Sequence, residues 1–206
     1  MKKLTLFTFL ALTLLVPQAW AQATTSDITE MPRGAYSLDP THATILFKIS
    51  HMGFADYIGR FNSFSGDLNF EPDSLPKSVV GIQIDPGSID TNHEELEKKL
   101  RAEDALNVDA FPNITFQSSE VVFGEDGKAE IKGNLNMMGQ THPLILNAVF
   151  TGGGVHPFSQ RYTLGFEATG SIDRTLWGFD TWVPMVGKNV EIEIHAEFSS
   201  LQKAGN

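Results

Sequence analysis

The sequence predicts an all-β fold: eight antiparallel strands closed into a barrel, with one helical insertion over about residues 91–106. Three observations point there. Apolar residues alternate with polar ones at a period of two along most of the chain, as in strands with one buried face. Connections between these stretches are short, as antiparallel neighbours allow. Several long strands contain a glycine, at Gly66, Gly133, Gly165 and Gly170. A sandwich and an up-and-down barrel both satisfy the first two observations. The glycines favour a barrel, because a closing sheet must bend sharply at several points. Eight strands enclose just enough room for one small ligand.

In chain order, residues 43–51 place Ile45, Phe47 and Ile49 on one strand face. Ile58, Phe64, Leu68 and Phe70 mark a long, glycine-bent second stretch, and Val80, Ile82 and Ile84 a third. Ile114 and Phe116 open a fourth that runs toward Val122. Asp126-Gly127 is a hairpin signal leading into Ile131, Gly133, Leu135 and Met137. A turn at Gly139-Gln140 precedes Leu144, Leu146, Ala148 and Phe150. Gly152-Gly153-Gly154 breaks the chain before Tyr162, Leu164, Phe166, Ala168, Gly170 and Ile172. Val190, Ile192, Ile194, Ala196 and Phe198 form the last strand.

The one clear helix spans 91–106. Thr91 is a good N-cap, with Glu94 three residues on to complete a capping box. Glu94–Lys98, Glu95–Lys99 and Glu97–Arg101 pair in the favourable order, each contributing about 0.3–0.5 kcal/mol. Leu96 and Leu100 give only a narrow apolar stripe, so the helix is expected on the surface, and Pro112 stops its continuation. His93-Glu94-Glu95-Leu96-Glu97 is one residue away from the His-Glu-x-x-His of a zinc hydrolase. A zinc helix needs the second His at position 97, where Glu stands. A solvated helix face fits these residues better; a metal-dependent enzyme using His93 and Glu97 is the alternative.

Residues 1–21 have the form of a cleaved secretory signal: Lys2 and Lys3, an apolar run from Leu4 to Val16, and Ala19-Trp20-Ala21 at the cleavage site. The run is too short for a membrane anchor. Cleavage after Ala21 would leave about 185 residues, a single-domain size, in the periplasm or secreted. Residues 22–33 are polar and read as a flexible leader; residues 34–200 form the barrel domain. Of 206 residues none is cysteine, which excludes disulfides, Cys-liganded zinc and thiol nucleophiles and suits an oxidising compartment. The formal charge of −10 becomes −12 without the signal, 13 basic against 25 acidic side chains. That disfavours nucleic acid and anionic membrane surfaces as partners.

Known chemistries find little support. There is no Gly-x-Ser-x-Gly elbow, P-loop, Gly-x-Gly-x-x-Gly or EF-hand loop. Asp39, Asp67, Asp85, Asp90 and Asp173 sit at strand ends, where Asp serves turns. His42 and His51, nine apart on one candidate strand, would face opposite sides. The apolar inventory says more. Fifteen Phe is a high count, and Trp177-Gly-Phe-Asp-Thr-Trp182-Val-Pro-Met185 is a connection rich in large apolar groups. Such a loop must bury its surface against a core, a partner or a ligand. It plugs one barrel end or lines a pocket mouth. An aliphatic ligand gains ~0.8 kcal/mol per buried CH₂, so a long chain needs almost no polar recognition.

The ordered set of short motifs resembles the YceI-like family of bacterial barrels. Tyr36-Ser-Leu-Asp39-Pro-Thr-His42, Phe47-Lys-Ile-Ser-His51-Met-Gly53, Gly59-Arg-Phe61 and Ser88-Ile-Asp-Thr91 fit its opening. Ile131-Lys-Gly133-Asn-Leu135-Asn-Met-Met-Gly139-Gln-Thr141-His-Pro143 is the most specific stretch. Arg174-Thr-Leu-Trp-Gly178 and Val186-Gly187-Lys-Asn-Val190 complete the match. The resemblance implies a lipocalin-like barrel whose hydrophobic tunnel binds an isoprenoid-type lipid, a polyprenyl chain or quinone tail. It further implies a periplasmic binding or carrier protein, often a homodimer, with no cofactor and no established catalysis. Within it, Phe47, Phe61, Phe116, Leu135, Phe166, Trp177 and Trp182 are the expected apolar lining, with His51 and Arg174 as contacts for a polar headgroup. Lys99 stands where the family often has His, and Ala105-Leu106 where it usually has two aromatics, which puts the shape of the tunnel in question. A barrel filled by its own side chains is the third alternative.

Overall fold

Backbone hydrogen bonds join every strand into one antiparallel ring. In the computed structural model, which describes residues 24–124 and 127–205, the segments are β1 (Gly34–Leu38), β2 (Thr44–His51), β3 (Ala55–Phe61), β4 (Phe64–Phe70), β5 (Val79–Ile84), β6 (Ile89–Asp90), β7 (Ile114–Phe123), β8 (Lys128–Met137), β9 (Gln140–Val155), β10 (Arg161–Asp173) and β11 (Val186–Lys203). The helix α1 is Glu94–Arg101. The expected signal, residues 1–21, lies outside the described residues, as does Asp126 of the expected hairpin turn.

Eleven segments make eight courses. β11 pairs with β1 near Phe198 and with β2 from His195 to Val186, so β1 and β2 are one strand with a kink. β4 pairs with β1 and β3 with β2, giving a second kinked course. β5 on β4 and β6 on β3 form the third. β7, β8, β9 and β10 then lead back to β11. This is the expected eight-stranded barrel.

Two of the three kinks are written in the sequence as Asp-Pro; the third, between β3 and β4, falls at Asn62-Ser63. Asp39 Oδ1 accepts from the Thr41 amide at 2.9 Å, and Asp85 Oδ1 from the Gly87 amide at 2.8 Å, each capping a short 3₁₀ turn. Asp27-x-Thr29 and Asp173-x-Thr175 build the same cap. His42 therefore sits in a turn before β2 and not on the strand. Above the kinks, β6 leaves β7, whose pairing with the third course ends at Ile84↔Ile114. The insertion carrying α1 occupies residues 91–113, between these strands.

Two expectations are corrected. The leader packs from Thr25 onward: Thr25 bridges to Gly153, and Ile28 and Met31 are buried against Leu68, Phe70, Phe150 and Phe198. Two apolar residues in a polar stretch are enough to dock it. The helix is shorter than 91–106 and its N-cap is His93, whose Nδ1 accepts from the Leu96 amide at 3.1 Å. Glu97, not Glu94, closes the reciprocal half, accepting from the Thr91 amide at 2.9 Å and the His93 amide at 3.3 Å. Lys98 pairs with both Glu94 and Glu95, and Glu97 lies 4.0 Å from Arg101.

Large inward side chains lie against the wall. A Cβ built on Gly59, Gly66, Gly133 or Gly170 would fall under 3.0 Å from Phe47, Ile82, Phe116 or Leu146, respectively. Each glycine is a niche for a side chain of the adjacent strand. Gly133→Ala would strike both the Phe116 ring and the Gln117 carbonyl. It is expected to cost about 1–3 kcal/mol, read as a lowered melting midpoint. Gly124→Ala, whose nearest neighbour is 3.7 Å away, should stay within about 0.5 kcal/mol of the parent.

Candidate functional site

Inside the ring the apolar core divides into two buried clusters with open space beside each. The lower chamber, about 120 Å³, lies at the leader end. Ile28, Phe64, Phe70, Phe150, Phe166 and Phe198 are among its walls. The upper chamber, about 470 Å³, lies at the α1 end, within the ~300–1,000 Å³ typical of ligand pockets. Ile45, Ile82, Phe116, Leu146 and Ile194 line both chambers and form a waist between them.

The expected lining divides accordingly. Phe47, Phe61, Leu135 and Trp182 line the upper chamber, Phe166 the lower, and Phe116 the waist. The Phe47 and Phe61 rings meet tilted, with centres 5.7 Å apart, and Phe166 stands 5.6 Å from Phe150 and 6.1 Å from Phe198. Trp177 departs from expectation. It is 1% exposed and outside the lining; its Nε1 donates to the Leu135 carbonyl at 3.3 Å, and its ring meets His142 edge-on at 4.8 Å. It braces the wall from behind.

Arg174 borders the chamber, but its donors are committed. Nε donates to Gly187 O at 2.9 Å, Nη1 to Phe179 O at 2.8 Å, and Nη2 to Thr181 O at 2.9 Å and Val186 O at 3.3 Å. The guanidinium lies 4.7 Å from the Phe179 ring centre. Burial lowers its pKa, while Asp180 and Asp173 oppose the shift. Arg174 is thus a clamp on the β10–β11 connection, with little left for a headgroup. The Thr181 hydroxyl donates to Asp104 O, tying that connection to the insertion.

Polar groups gather at the upper end. His51, Tyr57, Thr91 and Lys99 all line the upper chamber. The Tyr57 hydroxyl donates to Thr91 O at 3.1 Å. Of these the sequence singles out His51 as a contact and Lys99 only as a departure from the family pattern, and nothing in it marks Tyr57; Lys99 lies on the same helix turn as Leu96 and Leu100. Those leucines, with Leu106, also line the chamber, so the helix is a wall of the cavity as well as a surface element. Ala105 is buried but outside the lining. His93 and Glu97 are engaged in the helix cap described above.

The turn that aims Arg174 depends on Asp173. Its Oδ1 accepts from the Thr175 amide at 3.1 Å and hydroxyl at 2.6 Å, and its Oδ2 meets Lys188 Nζ at 2.6 Å. Lys188 and Thr175 hold its carboxyl down at about 2.

An eight-stranded antiparallel barrel around apolar cavities has the architecture of ligand-holding, lipocalin-like barrels. The YceI-like domain profile matches residues 36–198, and the chain belongs to that family. A UPF0312 protein of Vibrio cholerae is 36% identical over 156 residues, covering 76% of this chain and 81% of that protein. One of Vibrio vulnificus is 34% identical over 199 residues, 96% and 98% of the two chains. Among solved structures, BcnA of Burkholderia cenocepacia superposes with a TM-score of 0.70 at 20% identity, over 78% of this chain and 98% of its own. A polyisoprenoid binding domain from Saccharophagus degradans gives 0.60 at 15% identity, over 80% and 98%. At such identities these two carry the fold alone.

Arg174→Lys, which cannot span these carbonyls with one ammonium, is expected to lose about 2–4 kcal/mol of stability, measured by denaturant unfolding. Asp173 predicts an acid limb. Its folded pKa lies below the ordinary 3.8, so its contribution is complete above that value and is lost as pH falls toward about 2. Carboxyl NMR titration should place it near 2, and Lys188→Gln should raise that value.

Proposed function

We propose that this protein is a periplasmic binding or carrier protein that holds a long isoprenoid-type lipid, a polyprenyl chain or quinone tail, lengthwise in the barrel. The observation that carries this reading is the pair of apolar chambers meeting at a shared waist, with ionisable lining confined to the upper end. A linear apolar chain gains ~0.8 kcal/mol per buried CH₂ and needs no partner until its polar end reaches His51, Tyr57 and Lys99. That the Saccharophagus degradans neighbour is a polyisoprenoid binding domain supports the ligand class, and the signal-like residues 1–21 support the compartment. Binding without catalysis fits the site better than a metal enzyme, because Glu97 already accepts from two backbone amides. The open volume of the upper chamber argues against a barrel filled by its own side chains.

Native mass spectrometry of protein released from the periplasm tests the proposal. A copurifying isoprenoid is the expected result; straight-chain fatty acid alone, or protein found only in the cytoplasm, would sink it. Phe166→Asp, placed in the lower chamber, is expected to abolish lipid retention while circular dichroism still reports the β fold. Undiminished retention in that folded variant would remove the lower chamber from the binding path.

A further inference from the structure

We infer that the apolar rim beside the upper chamber docks the protein onto an electrically neutral lipid bilayer, so that the chain passes between membrane and cavity without crossing water. This rests on the lipid-binding reading above and names the surface that serves it.

The rim comes from two adjoining segments. The β2–β3 tip exposes Met52 at 51% and Phe54 at 86%; the β10–β11 connection exposes Val183 at 38% and Met185 at 55%. The Met52 amide donates to Met185 O at 2.7 Å, which holds the segments side by side. Single exposed apolar residues are ordinary. These four are grouped, and Met52 and Met185 also line the upper chamber, so apolar surface continues from the interior to the outside.

The size of the rim decides its occupant. Even a large aromatic side chain buries only ~150–250 Å², so four partly exposed side chains fall short of the ~800 Å² per partner of a standard protein interface. A bilayer accepts a small apolar tip, because insertion scales with the area buried. The surrounding charges are largely spent on one another. Lys48 pairs with Asp56 and Glu191, Lys188 with Asp173, and Lys98 with Glu94 and Glu95. With a formal chain charge of −10, anionic lipid repels and neutral lipid is favoured.

Flotation of the purified protein with phosphatidylcholine vesicles tests the inference, alongside a separate assay of polyprenol retention in detergent. The parent protein is expected to float equally at about 0.1 M and about 1 M salt. Phe54→Asp should float at least about tenfold less while retaining polyprenol, and Phe158→Asp, at the opposite end and 90% exposed in the parent, should float like the parent. No flotation of the parent, equal flotation of Phe54→Asp, or binding only to anionic vesicles that salt abolishes would overturn docking. So would a parent dimer that Phe54→Asp converts to monomer, since the rim would then join two copies. Retention without flotation overturns docking alone; flotation without retention overturns the lipid-binding reading and leaves the docking surface standing.

Discussion

The structure depends on one packing constraint: an eight-stranded barrel with an open interior must place its large inward side chains somewhere other than its axis. Eight strands leave an interior that side chains can fill completely. In this chain the inward glycines resolve the conflict. Phe47, Ile82, Phe116 and Leu146 reach over glycines of adjacent strands, so bulky apolar groups cover the wall and leave volume beside it. Dispersion contacts with the neighbouring strand replace those lost across the lumen. The same placement sets the waist, because Ile82, Phe116 and Leu146 all belong to it.

A barrel with open space inside must then manage its two ends. Ile28 and Met31 bury themselves at the lower end, continuing the apolar core that Tyr36, Phe70 and Leu164 begin. Tyr36 shows how dry that region is: burial lifts its hydroxyl pKa to about 12, and the hydroxyl donates to Pro32 O at 2.7 Å. The upper end is held by backbone polarity. Arg174 gathers carbonyls from the middle of the β10–β11 connection and from the start of β11, and Thr181 links that connection to the insertion. Among the described residues no buried side-chain nitrogen or oxygen lacks a hydrogen-bond partner.

The barrel was legible because period-two patterning fixes a strand's two faces together. Phe116, Leu135 and Phe166 follow that rule and reach the cavity. Ile58 does not: it belongs to an apolar stretch but lies 59% exposed opposite Lys48, because alternation starting from inward Phe61 and Gly59 turns it outward. Trp177 and Arg174 are expected from the sequence to meet the ligand, yet their polar groups are committed to backbone carbonyls. The partner of Trp177, the Leu135 carbonyl, becomes a neighbour only after the barrel closes; the partners of Arg174 lie nearby in the β10–β11 connection and the start of β11, but they are backbone carbonyls, which residue pattern does not mark. The helix boundary failed for a related reason. Thr91 and Glu94 offered a good local cap, but Thr91 is buried beneath Glu97, and His93 took the capping position. The glycines pointed correctly to a barrel through their expected role in bending; in the folded chain they also make room for neighbours.

Cavity length bears on what the interior can hold. Along β11, Val186 lines the upper chamber and Phe198 the lower. At ~3.3 Å per residue that separation is roughly 40 Å along the strand, or about 30 Å along the axis for a tilt of ~35–45°. This is close to the ~30 Å hydrocarbon thickness of a whole bilayer. A chain from one leaflet spans about half of that, and would leave one chamber unfilled or bind with its polar end buried beside Phe116. On the proposed lipid-binding reading, a chain able to cross the whole hydrocarbon layer would reach both chambers and still present its polar end to His51 and Lys99. Length, the apolar waist and the placement of polar groups at one end therefore favour the same class of ligand for separate physical reasons.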